Sequence, residues 1–229
     1  MLHNVAEAAK AWAAQHPHAV ELTTKLEQGG VRAALFSSTV SHIARMALGL
    51  EGGRRPDDVD LLVVKEDVGL AADLLKIRLR KEQIVVKTGD GHSFSFSARE
   101  GKTQAGSDEV QFVDPLAKLR CGPHVYDTTY TPHAASARTI VETKQGLLPL
   151  AHPMDTIAMY GILQRRGAKH DAHNVSALLM TGDPLNGSYA GERALHMGWD
   201  GRITRFIHEA GEGLMGSGGL RAPAIVTAT

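Results

Sequence analysis

The stretch RRPDDVDLLVVKED, Arg54 to Asp67, decides the fold, because it joins three aspartates to an apolar run. Asp57, Asp58 and Asp60 stand at the start of the run Leu61 to Val64. A short apolar run with β-branched residues is typical of a buried strand, whereas aspartates are rarely buried unless they are paired. Either the acids end a loop and the strand starts after them, or they line a site that needs negative charge at a fixed place.

The alternation of side chains along a strand indicates how these acids could line a site. Residues two apart on a strand point to the same face, so Asp58 and Asp60 would project together, with Val59 in the opposite layer. Neighbouring carboxylates repel each other, and Mg²⁺ commonly binds one or two carboxylates together with substrate phosphates. The spacing therefore suits Mg²⁺-assisted phosphoryl or nucleotidyl transfer. The alternative is structural: loop caps, or ion pairs with Arg54 and Arg55.

The flanking segments predict a mixed α/β (α+β) fold with a central sheet flanked by helices. Two helical segments come first, followed by a strand over Val31 to Ser37 and a helix from about Thr39. After the acidic stretch, Asp67 is expected to cap a helix. Three strand-like segments between residues 82 and 114, separated by turn residues, predict an antiparallel meander.

The last third of the chain is predicted to be largely helical. From Pro153 the residue pattern becomes helical, so we expect a core over residues 1–150 and a C-terminal helical region over 151–229 packed on it. Asp155 is expected to cap the first of these helices. Arg165 and Lys169 cluster near a helix junction, where they would either meet a triphosphate or form a solvated helix end.

Composition sets the broad class of the protein. The 229 residues are 43% hydrophobic, and 25 Lys and Arg balance 25 Asp and Glu. This balance argues mildly against a large nucleic-acid surface. The single cysteine, Cys121, excludes an intramolecular disulfide and a cysteine-based zinc site. Without a signal-like N-terminus or an apolar stretch of membrane-spanning length, we expect a cytoplasmic protein without membrane partners.

Two blocks of sequence carry a resemblance to a known family. A strand, a Ser37–Ser38 turn, a helix, an arginine-bearing loop and the Asp-x-Asp strand follow one another in order. This order resembles the nucleotidyltransferase fold superfamily of DNA polymerase beta type. It is closest to the branch of abortive-infection nucleotidyltransferase toxins and related uncharacterised proteins, where an arginine precedes the acids as Arg55 does here. The second block resembles that branch's helical segment through Pro153, Asp155, Ile157, Tyr160, Arg165, Lys169 and Asp171.

The resemblance implies Mg²⁺-dependent transfer of a nucleotidyl group from a nucleoside triphosphate to an acceptor hydroxyl. In that interpretation Asp58 and Asp60 are catalytic and bind the metal. Ser37, Ser38 and the helix behind them hold phosphate, and Arg55 and Lys169 support nucleotide binding. A tRNA end, a protein hydroxyl and a small molecule all remain open as the acceptor.

The sequence departs from the family pattern at two positions. Ser37 stands where the family has glycine, and Gln111 falls near the position of a third carboxylate that acts as a base. Glu109, if the register shifts by two, or Asp114 at the strand end would supply that carboxylate; we expect Glu109 as the third catalytic residue. The alternative function is a catalytically degenerate relative that binds nucleotide or another protein.

Overall fold

The computed structural model describes residues 2–50, 58–106, 108–115, 119–121, 124–126, 135, 137–164, 171–181 and 200–216. In these ranges the chain forms seven α-helices and a mixed seven-stranded sheet, with a separate two-stranded sheet. The helices are α1 Leu2–Gln15, α2 Pro17–Gln28, α3 Ser37–Ala47, α4 Val68–Leu75, α5 Pro153–Leu163, α6 Asp171–Thr181 and α7 Gly201–Gly216. The strands are β1 Ala33–Leu35, β2 Asp58–Val63, β3 Arg80–Lys87, β4 Ser93–Ala105, β5 Asp108–Pro115, β6 Leu119–Cys121, β7 His124–Tyr126, β8 Thr139–Glu142 and β9 Leu147–Leu150.

The large sheet combines local and long-range pairings. Its order is β3-β4-β5-β2-β1-β9-β8. The segment β3 to β5 forms the predicted antiparallel meander, whereas β2 pairs with β5 in parallel and with β1 antiparallel. The predicted fold class, a mixed sheet flanked by helices, is confirmed.

Helices cover both faces of this sheet. On one face α1, α2 and α4 pack against the side chains that include Ala33, Val59 and Leu61. On the other face α5, α6 and α7 pack against the set that includes Ala34 and Leu62. Each large side chain removed from water in such a core contributes roughly 1.5–3 kcal/mol. The described helices after residue 150 therefore share one apolar core with the sheet.

The structure places one of the two predicted acidic caps at the expected position. Asp67 is the N-cap residue of α4, but its side chain makes no cap hydrogen bond. Its carboxylate instead accepts from Arg32 Nε at 2.8 Å, and this hydrogen bond holds the pKa of Asp67 below its usual range. At α5 the cap is His152, whose Nδ1 accepts from the Met154 amide at 3.2 Å, and Asp155 is fully buried in the first turn. Pro153 displaces the cap by fixing the first helical residue.

Helix α4 ends at Leu75, because Lys76 adopts a left-handed conformation with a φ of 56°. The chain then turns back and enters β3 at Arg80. Within the described ranges, every helix falls short of the length and apolar character that a membrane span requires.

Candidate functional site

Strand pairing brings the serine turn next to the acidic strand. In the antiparallel β1–β2 pair, Leu35 lies opposite Leu61. Just beyond this pair, the Phe36 amide donates to the Asp60 carbonyl oxygen at 3.0 Å. Because α3 starts at Ser37, the N-terminus of α3 lies beside the start of β2.

The parallel pairing of β2 with β5 brings a third carboxylate to the same edge. Asp58 lies opposite Glu109, and Asp60 lies opposite Gln111. Facing residues of neighbouring strands point to the same side of a sheet. Glu109 therefore stands next to Asp58 without the shift of register considered in the sequence analysis. The acids and Gln111 share the sheet face of Leu62, which α5, α6 and α7 cover further along.

The strand bounds and the burial pattern show which element carries Asp58 and Asp60. Strand β2 begins at Asp58, so Asp58 and Asp60 belong to the strand rather than to the loop before it. Both are partly buried, while Val59 and Leu61 between and after them are each only 3% exposed. The two carboxylates thus point to one face at the mouth of the sheet, as alternation predicts.

The first residue of α3 adopts a conformation that favours glycine. Ser37 has a φ of 57° and is only 7% exposed. Left-handed backbone costs an ordinary L-residue roughly 1–2 kcal/mol, whereas glycine adopts it without steric cost. The serine keeps the conformation but adds a Cβ to the turn.

The start of α3 offers hydrogen-bond donors to a ligand. The N-cap residue, Phe36, provides no side-chain cap, and the first amides of a helix have no partners within the helix. Among the described residues, Ser38 Oγ and Thr39 Oγ1 are buried and have no hydrogen-bond partner. Buried hydroxyls without partners are uncommon, and helix N-termini bind phosphate readily.

A polar network occupies the neighbouring part of β4 and β5. Lys102 Nζ lies 3.2 Å from Glu100 Oε1 and 3.5 Å from Glu109 Oε1. The hydrogen bond to Glu100 raises the pKa of Lys102, so the lysine is charged near neutral pH. Gln111 Nε2 donates to Glu100 Oε1 at 2.6 Å. Glu109 is therefore paired with an ammonium, and Gln111 is held as a donor opposite Asp60.

The donor set fits Mg²⁺ only in part. Asp58 and Asp60 supply the oxygen ligands that Mg²⁺ prefers. In the portion of the chain that the structure describes, no three His, Cys, Asp or Glu side chains are grouped to hold a metal ion. Magnesium commonly completes its coordination with substrate phosphates and water. The arrangement therefore suits a cation that arrives with a triphosphate, not one held by a complete protein cage.

Several predicted residues fall outside this description. Arg55, Arg165 and Lys169 lie outside the described residues. In the register of β4 with β5, Asp114 lies opposite Arg99, towards the end of β5 and away from the start of β2.

Two contacts at the site were missed by the sequence reasoning. Lys102 joins the site through strand pairing, which no local pattern reveals. Ser41 lies one helical turn after Ser37, and its Oγ contacts both Ser38 O at 3.1 Å and Tyr160 Oη at 3.1 Å. Its spacing of four residues from Ser37 is a signal that the sequence contains.

Comparison of the chain with protein-family models, with curated proteins and with solved structures finds no match.

Proposed function

We propose that the protein is a nucleotidyltransferase that moves a nucleotidyl group from a nucleoside triphosphate to an acceptor hydroxyl with the help of Mg²⁺. The observation that carries the proposal is the Phe36–Asp60 hydrogen bond, which sets the start of α3 beside the two acids. A phosphate-binding helix end and a pair of carboxylates at one sheet edge are the two elements that this chemistry requires.

In this proposal, different residues at the sheet edge bind the phosphates and the metal ion. Ser38 and the first amides of α3 hold phosphate oxygens, and the left-handed Ser37 turn orients those amides. Asp58 and Asp60 hold Mg²⁺, which, when bound, neutralises phosphate charge. Arg55 and Lys169 are proposed as further cations for the nucleotide.

The chemical step forms one bond and breaks one. The acceptor oxygen bonds to the α-phosphorus, and the bond from that phosphorus to the pyrophosphate oxygen breaks. Glu109 takes the hydroxyl proton in this proposal, and for that it must exchange its contact with Lys102 for the acceptor, because the ammonium lies 3.5 Å from the Oε1 atom that would receive the proton.

Thermal unfolding with each nucleotide, with and without Mg²⁺, tests the site. A ligand at 100 times its dissociation constant stabilises by about 2.7 kcal/mol, which is a rise in Tm of roughly 5–10 °C for a chain of this size. We expect the rise to require Mg²⁺ and to disappear in the Asp58→Asn/Asp60→Asn variant. The matched control is Glu142→Gln, at an exposed position on β8 at the far edge of the sheet. No rise with any nucleotide contradicts the proposal.

The position of Gln111 favours a second candidate, a degenerate relative that binds nucleotide or another protein without turnover. Gln111 faces Asp60, and its amide donates to Glu100. An amide cannot accept the proton of an attacking hydroxyl. Under this candidate the protein binds nucleotide but transfers none.

Transfer of label from α-labelled ATP, GTP, CTP or UTP separates the two candidates. Total tRNA, a protein mixture and glycerol are offered as acceptors, and the protein itself is checked for label. Transfer by the wild type that is lost in Asp58→Asn supports the enzyme. If the wild type binds nucleotide without transfer and Gln111→Glu acquires transfer, the second candidate is correct and position 111 is that of the missing base.

A further inference from the structure

The turn at Ser37 is strained and needs support from its surroundings. Its φ of 57° is unfavourable for a residue with a Cβ. Such conformations persist where neighbouring contacts determine them. The contacts here come from Ser41, whose Oγ lies 3.3 Å from Ser37 O and 3.1 Å from Ser38 O. Ser41 is 2% exposed, so water does not compete for these bonds.

A tyrosine of the C-terminal helical region extends this support. Tyr160 Oη lies 3.1 Å from Ser41 Oγ, and the Tyr160 side chain is 1% exposed. A carbonyl oxygen only accepts, and Ser41 has a single hydroxyl proton. The contacts are satisfied together when Ser41 donates to the carbonyls of the turn and Tyr160 donates to Ser41. The hydrogen-bond chain therefore runs from α5 to the turn at the start of α3.

We propose that Tyr160 is a positioning residue that holds the Ser37 turn through Ser41, and so sets how the first amides of α3 meet phosphate. The effect on phosphate rests on the proposed function; the support of the turn does not. Tyr160→Phe removes the hydroxyl and keeps the ring, so packing changes little. Ser37→Gly removes the strain, because glycine adopts a positive φ without steric cost. In the Ser37→Gly variant the turn is no longer strained, so the hydroxyl of Tyr160 should contribute less to stability.

A double-mutant cycle in urea unfolding measures this support without any nucleotide. We expect Tyr160→Phe to lower the folding equilibrium constant about tenfold in the wild type. In the Ser37→Gly background we expect a decrease of about threefold or less. The control is Tyr126→Phe, which removes the hydroxyl of another fully buried tyrosine, bonded to Arg202 and Asp200. Its effect should be the same in both backgrounds. Equal effects of Tyr160→Phe in the two backgrounds overturn the inference.

Nucleotide affinity supplies the readout that a purely structural tyrosine would not move. The dissociation constants of the protein for ATP, GTP, CTP and UTP are measured in the presence of Mg²⁺, under conditions in which the protein remains folded. We expect Tyr160→Phe to weaken binding of the preferred nucleotide about tenfold, and Ser37→Gly to restore most of this loss. Coupling in urea with unchanged affinity refutes the positioning role. Coupling in urea with no nucleotide binding by the wild type refutes the proposed function and leaves the support of the turn established.

Discussion

The contact between Arg202 and Asp90 provides a stability test that is independent of function. Arg202, in the first turn of α7, reaches the turn between β3 and β4. Its Nε lies 2.5 Å from Asp90 Oδ2 and its NH2 lies 2.9 Å from Asp90 Oδ1. The same guanidinium also donates to Ile162 O at 2.7 Å and to Tyr126 Oη at 3.2 Å. The Arg202 side chain is 8% exposed and that of Asp90 is 24% exposed. The ion pair thus fastens α7 to the edge of the sheet.

The Asp90→Asn variant leaves the buried guanidinium without its counter-charge. Removal of one partner from a buried pair costs roughly 3–5 kcal/mol. Asp90 keeps some contact with water, and asparagine keeps one acceptor oxygen, so the lower end applies. We expect a loss of about 3 kcal/mol near pH 7. This corresponds to a decrease in Tm of roughly 6–12 °C for a chain of this length.

The pH dependence of that loss follows from the pKa of Asp90. The hydrogen bonds from Arg202 hold this pKa far below the ordinary range. A depressed pKa in the folded state gives stability that is present above the unfolded pKa, about 3.9, and declines as the pH falls towards the folded value. Asparagine does not titrate. The difference in unfolding free energy between wild type and variant should therefore be full at pH 7 and smaller at pH 3.

Urea unfolding, followed by circular dichroism at pH 7 and pH 3, measures both quantities. The control is Asp73→Asn, at an exposed position on α4, which should change stability by no more than about 0.5 kcal/mol. A loss below about 1 kcal/mol for Asp90→Asn at pH 7, or an equal loss at the two pH values, would show that the ion pair does not stabilise the fold in this way.

Two further substitutions test the packing of the helices by the same unfolding assay. In Gly161→Ala the new Cβ would lie 2.7 Å from Ile203 Cγ2, where α5 meets α7, so overpacking should cost about 1–2 kcal/mol despite the better helix propensity of alanine. Ile203→Ala should lower the unfolding free energy less in the Gly161→Ala variant than in the wild type. An increase in stability on Gly161→Ala would contradict the close contact with Ile203. Glu27→Gln should cost about 2–3 kcal/mol, because Glu27 accepts from Arg138 at 2.7 and 2.9 Å with both side chains largely buried. A cost below about 1 kcal/mol would show that this pair contributes little.

The local patterns predicted most elements because those elements depend on neighbouring residues. The strand-like segments between residues 82 and 114 predicted the meander, the apolar run predicted β2, and the two initial helical segments correspond to α1 and α2. The caps at Asp67 and Asp155 could not be predicted as reliably. The Asp67 carboxylate accepts a hydrogen bond from Arg32, which lies 35 residues earlier in the chain, and no local pattern reveals such a partner.

The candidate site could be predicted in its backbone elements but not in its charges. The resemblance implied that the Ser37 turn and Asp60 serve one nucleotide, which stays a prediction; the structure shows that the Phe36 amide, next to Ser37, donates to the Asp60 carbonyl oxygen. The pairing of Lys102 with Glu109 depends on the register of β4 with β5, and its place beside Asp58 depends on the register of β2 with β5. A shift of two residues in one register would change every partner in the network.

Under the proposed function, the acids at this edge argue that a triphosphate binds there together with a cation. Four acids, Asp58, Asp60, Glu100 and Glu109, lie at this edge, and Lys102 contacts two of them, Glu100 and Glu109. Like charges at short range disfavour each other, and the amides at the start of α3 offset only about half an elementary charge. A divalent cation between the acids and the phosphates changes the sign of this interaction. In this proposal the binding of Mg²⁺ and that of nucleotide are coupled, and by linkage each tightens the other by the same factor. A nucleotide that binds equally well without Mg²⁺ would contradict the role proposed for Asp58 and Asp60.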